Sequence, residues 1–257
     1  MTLPTFNIDL LLLVFMRMSG AIIFNPIIGR TNVPAILKGA LSLVCAYLVT
    51  STLGAQTVAV NNMVQFGISC TSELVIGIAM GTVISALFSV VLVAGEMIDL
   101  QMGFSMSTFY DPKSGVNMPI IGSFFNALLL LVFFATNSHL AFFNLLADSF
   151  RAIPAGTGFP TVKSAQFVVS MGKDIFEMGI RFAIPILAIE MVEQVTMGIL
   201  MRAVPQIDIF SVGFQLQIII GLIMLLIAIP IIVTLNGRLS DFIIEKLTEL
   251  IKLLIPI

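Results

Sequence analysis

Between residues 173 and 202 an otherwise apolar chain carries Lys173, Asp174, Glu177, Arg181, Glu190, Glu193 and Arg202. The chemistry open to them is ion pairing. At 100° per residue Lys173, Glu177 and Arg181 share one helix face, and Glu190, nine residues past Arg181, points half a turn away with Glu193. Lys173–Glu177 and Glu177–Arg181 stand at i, i+4, where a pair contributes about 0.2–0.5 kcal/mol. A charge at the bilayer centre costs about 2.5–3.5 kcal/mol, so four would cost roughly 10 kcal/mol. Local pairs cannot offset that, and these side chains must meet protein or water. Polarity on two faces calls for neighbours on both, so Lys173, Glu177, Arg181, Glu190, Glu193 and Arg202 are candidate subunit-interface charges. Pro185, between the two groups, predicts a kink.

A second stretch, GEMIDLQMGFSMSTFYDPKSGVNMP (95–119), opens inside a helix with Glu96, Asp99 and Gln101. It passes into Met102, Gly103, Phe104, Met106, Phe109 and Tyr110, and ends on the turn pairs Asp111-Pro112 and Ser114-Gly115. Gly103 relaxes the backbone before the aromatic cluster. Methionine fills changing gaps, and a hydrophobic constriction stops ions by dewetting. A loop of this composition suits a seal that yields to a passing chain, or an ordinary packed re-entrant loop.

Catalytic motifs are absent. His139 is the only histidine, and no GxSxG, HExxH or Walker A sequence occurs. Cys45 and Cys70 are 25 residues apart in apolar context, a spacing for small core residues and not for metal. No cofactor or metal and no enzymatic activity is expected, and a net charge of −2 gives no footprint for nucleic acid.

The elements that must hold these residues are apolar helices. Of 257 residues 58% are hydrophobic and 10% charged, against about 25% charged in soluble domains. Apolar segments run from about Ile8 to Ile28 (interrupted by Arg17), through 39–72 with a polar break at 54–62, and over 74–94 and 119–135. Beyond the loop at 154–160, long helices are predicted at about 164–203 and 209–236. Hydropathy alone gives about six spans of an all-α membrane protein, although basic residues set no clear orientation. The opening MTLPTFNIDLLLLVF has no basic region and no small-residue cleavage site, so it reads as a permanent element. GIAMG (77–81) has the spacing of a close helix-packing motif. In the last stretch Asp241, Glu245, Glu249 and Lys252 alternate with Phe242, Ile243, Leu247, Leu250 and Leu254. This predicts an amphipathic helix for a membrane surface or a partner.

Three blocks, GEMIDLQMGFSMSTFYDP, NSHLAFFNLLADSFRAIPAG and MRAVPQIDIFSVGF, in this order and with FMRMSGAIIFNPIIG before them, resemble the FliR family of the bacterial flagellar type III export gate, which has counterparts in injectisomes. The resemblance covers nearly the whole chain. Asp99 and Met106 stand where the family pattern has small or aromatic residues.

The resemblance implies kinked helical hairpins in a closed helical cone, with five FliP-type and four FliQ-type subunits, in the flagellar basal body of the bacterial inner membrane. It implies a FliP-like part at 1–160, with a plug loop at 101–118, and a FliQ-like hairpin at 161–257 ending in the amphipathic helix. Pro205, Gln206 and Asp208 would form the hairpin tip, and Met102, Gly103, Phe104, Met106 and Phe109 the pore seal. The cargo would be unfolded secreted flagellar proteins, with the proton-motive force and partners such as an FlhB-type protein as drive. Many of the helices would stand above the membrane plane, so the six-span count would mislead. The alternatives are injectisome service and a small-solute secondary transporter, to which Arg181, Glu190 and Glu193 would offer a midplane site. No repeated halves of similar size support the transporter.

Overall fold

A computed structural model describes residues 7–29, 33–53, 62–104, 119–204 and 213–254. Among them every regular element is an α-helix: α1 (Ile8–Ile23), α2 (Ala35–Leu53), α3 (Met63–Gln101), α4 (Ile120–Ala135), α5 (Ser138–Ala152), α6 (Val162–Ala203) and α7 (Phe214–Leu254). Within these residues two helices, α2 and α3, are long and apolar enough to cross a membrane, or up to four if each bent pair (α4 with α5, and the two parts of α7) is one span. This corrects the count of six. The first segment forms a helix of only 16 residues, about 24 Å long against about 30 Å of hydrocarbon, and α6 carries too many charges.

Glu96 and Asp99 do not end the helix begun in the apolar run at 74–94, which extends over 39 residues. The amphipathic tail is the last part of α7 and not a separate helix. Its apolar side is covered by its own chain: Ile243, Leu247, Leu250 and Leu254 are buried, while Asp241, Glu245, Glu249 and Lys252 are exposed. Lys246 lies over the rings of Phe167 and Phe242 and pairs with Glu249 at 3.0 Å.

The chain forms two compact units, one of residues 1–87, 137–172 and 241–257, the other of 88–136 and 173–240. In the first unit α1 packs on α2 and on the first part of α3. Both glycines of GIAMG meet α1: a Cβ on Gly77 would strike the Arg17 carbonyl, and one on Gly81 would lie 2.8 Å from the Ala21 carbonyl. Gly20 faces back, where a Cβ would come 2.6 Å from the Leu74 carbonyl. Helices this close interlock through backbone. The second unit has its core in the rest of α3, α4 and the middle of α6, where Phe125 stands edge-on to Phe182 with centroids 5.5 Å apart.

Candidate functional site

The second unit holds both ends of the Met/Phe stretch. α3 closes with the Met102 N–H donating to the Ile98 carbonyl at 2.8 Å. Gly103 follows with φ of 78°, in the left-handed region that glycine enters without strain. Residues 105–118 lie outside the described residues, and α4 follows Pro119. There the Asp99 carboxylate accepts the Ile121 N–H at 3.1 and 3.2 Å from its two oxygens. The first N–H groups of a helix have no partner within it, and an anion placed there is stabilised. Asp99, two residues before the end of α3, thus ties the start of α4 to the end of α3.

Met102 is fully buried. A Cβ on Gly221 of α7 would fall against Met102 Cε and Cγ and 2.6 Å from Glu190 Oε1, so α7 passes this point only as glycine. The Gln217 side-chain amide donates to the Gln101 carbonyl. Gly103 and Phe104 are half-buried. Of the five residues expected to seal a pore, Met102 therefore serves as the stem's anchor, and Met106 and Phe109 lie outside the described residues. So do the hairpin-tip residues Pro205, Gln206 and Asp208.

α6 divides its charges as its periodicity predicts. Lys173, Glu177, Arg181 and Arg202 are exposed, with Arg181 donating to Glu177 at 2.6 Å. Glu190 is 0% and Glu193 8% exposed, both within the second unit. The two carboxylate oxygens of Glu190 and Oε1 of Glu193 are buried without a hydrogen-bond partner. Burial, and then the charge of Glu193, push the Glu190 carboxyl from its ordinary 4.5 up to about 7. Burial also raises Glu193.

The match of known sequences to this chain is extensive. The family described as "Bacterial export proteins, family 1" matches residues 8–242. The chain belongs to the FliR family of bacterial export proteins. It is 32% identical over 237 residues to the flagellar biosynthetic protein FliR of Escherichia coli, covering 92% of this chain and 90% of that one. It is 28% identical over 245 residues to the FliR of Bacillus subtilis, covering 94% of each, and 28% identical to that of Aquifex aeolicus, covering 90% of each.

A further ionic cluster in this FliR-family chain lies in the first unit. Arg17 and Glu73, both 0% exposed, form a two-pronged pair: Nε to Oε2 at 2.5 Å and Nη2 to Oε1 at 3.0 Å. Arg17 also donates to Ser149 Oγ at 3.1 Å and to the Ile153 carbonyl at 3.2 Å, and stacks 4.0 Å over the Phe150 ring. Glu73 accepts the Gly156 N–H at 2.8 Å. The block NSHLAFFNLLADSFRAIPAG thus supplies α5 and the following turn, which enclose this pair. Sequence reasoning noted Arg17 only as an interruption and passed over Glu73. The signal was present: one arginine and one glutamate, each isolated in apolar helix, are affordable only when paired.

Proposed function

We propose that this chain is a core subunit of the flagellar type III protein export gate in the bacterial inner membrane, and that loop 101–118 helps to seal its channel. One geometric observation supports the sealing role: the residues that flank the Met/Phe loop on both sides are tied down. Met102 is locked against Gly221, and Asp99 holds the start of α4. A seal must be soft at its tip and anchored at its base, and these contacts anchor the base. The flagellar names of the relatives favour flagellar over injectisome service.

In this reading residues 1–160 are the FliP-like part and 161–257 the FliQ-like hairpin. The chain completes a cone with five FliP-type and four FliQ-type subunits, beside an FlhB-type protein, in the basal body. Unfolded flagellar proteins pass through it. The exposed charges Lys173, Glu177, Arg181 and Arg202 face neighbouring subunits or water, and the segment around Pro205, Gln206 and Asp208 turns the hairpin. The chain acts by shape and exclusion, not by catalysis.

Deleting residues 104–110 is the direct test. In planar bilayers the assembled complex carrying the deletion should pass ions continuously where the wild type is closed. Normal assembly with unchanged conductance would remove the sealing role.

A further inference from the structure

Glu190 is buried with neither carboxylate oxygen hydrogen-bonded, and an ionised carboxylate cannot remain in that state at modest cost. Among the described residues the helices around it bring no cation. On α6 its near neighbour is Glu193, itself buried, and Arg181 is nine residues away, exposed and paired to Glu177. α3 offers within the second unit only Glu96, which is exposed, and Asp99, whose oxygens take the Ile121 N–H. α4 has no charged residue, and α7 has none from Phe214 to Gly237. A Cβ on Gly221 would meet both Glu190 Oε1, at 2.6 Å, and the Met102 side chain, so the carboxylate and Met102 share the space beside that glycine.

We propose that Glu190 is a proton-binding site, and that its occupancy sets the packing of Met102 on Gly221 at the stem of loop 101–118. The neutral acid fits the dry contact. When the proton leaves to solvent, the remaining carboxylate draws in water, and the flexible side chain beside it is Met102. A methionine side chain moves at little cost, whereas the helix backbone at Gly221 does not. The titration lies near neutral pH because burial and Glu193 both oppose the charge. The sign follows: the folded state binds this proton more tightly than the unfolded chain. The stability it contributes is full below about 4.5 and is lost as pH rises through about 7.

The effect on conductance rests on the sealing role proposed above; the local coupling does not. Methyl-labelled methionine in the full chain, purified with the subunits that accompany it, reports on both. The Met102 signal, identified by its loss in Met102→Leu, should move between pH 5.5 and 8.5 with a midpoint near 7. In Glu190→Gln it should stay at its low-pH position, and in Glu193→Gln the midpoint should fall. The melting temperature should drop over the same range in wild type and drop less in Glu190→Gln, where Glu193 still titrates. A Met102 signal that is flat in wild type overturns the proposal, as it would if a neighbouring subunit's basic group held Glu190 ionised. So would a titration that persists in Glu190→Gln. A Met102 signal that titrates while conductance stays constant with pH supports the proton site and counts against the seal.

Discussion

Arg17→Met is expected to destabilise the protein by about 3–5 kcal/mol, the usual cost of removing one member of a buried ion pair. Glu73 would remain with the Gly156 N–H as a donor, in a place closed to water, and would have to take up a proton or break open the packing of α5. Ser149 and the Ile153 carbonyl would lose their contacts with the guanidinium as well. Glu73→Leu should cost a similar amount, because it strands the cation. The double change Arg17→Met with Glu73→Leu should recover much of the loss, since apolar replacement of a whole buried pair is often neutral. The chain has no tryptophan, so the melt is best followed by circular dichroism or by thiol labelling of the half-buried Cys45 and Cys70. A single Arg17→Met variant that melts with wild type would show that the pair does not hold the first unit together.

Gly77→Leu should be comparably severe, at about 3 kcal/mol or more, the upper range for overpacking. Its Cβ would meet the Arg17 carbonyl, and Gly20 and Gly81 close the same contact from either side. Side chains can rotate away from an intruder, but a helix backbone must move as a whole. Pushing α1 off α3 would also pull Arg17 from Glu73, so Gly77→Leu and Arg17→Met should cost less together than their sum. Gly39→Ala is the control. Nothing lies within 4 Å of a Cβ there, and alanine is favoured in helices by up to about 1 kcal/mol. A melt of Gly77→Leu equal to that of Gly39→Ala would refute the close contact.

The residues differ in how plainly they announced these arrangements. The periodicity of Lys173, Glu177 and Arg181 against Glu190 and Glu193 was readable because a helix converts spacing into direction. It separated an exposed from a buried set, but spacing has no information on whether the buried set meets a partner or its own chain. GIAMG, a motif that any apolar helix could display, pointed to close packing but not to α1 as the partner. The end of α3 was legible, since Glu96, Asp99 and Gln101 read as helical, but its start at Met63 was not, because the apolar run was taken to begin at Leu74. α5 was hidden inside a block read for its resemblance alone. Glu73 was missed because its partner lies 56 residues away, beyond any local pattern. The continuity of α7 was obscured by Pro230 and by the change from apolar to amphipathic character near Arg238.

A role in the export gate requires other subunits to meet the exposed charged face of α6 and the loop that follows α3. Native mass spectrometry of the gently solubilised complex tests this most directly. The predicted result is one copy of this chain with five FliP-type and four FliQ-type subunits, dissociating when Arg181 and Arg202 are both replaced by glutamate. A stable single chain that moves small solutes in liposomes by itself would contradict it.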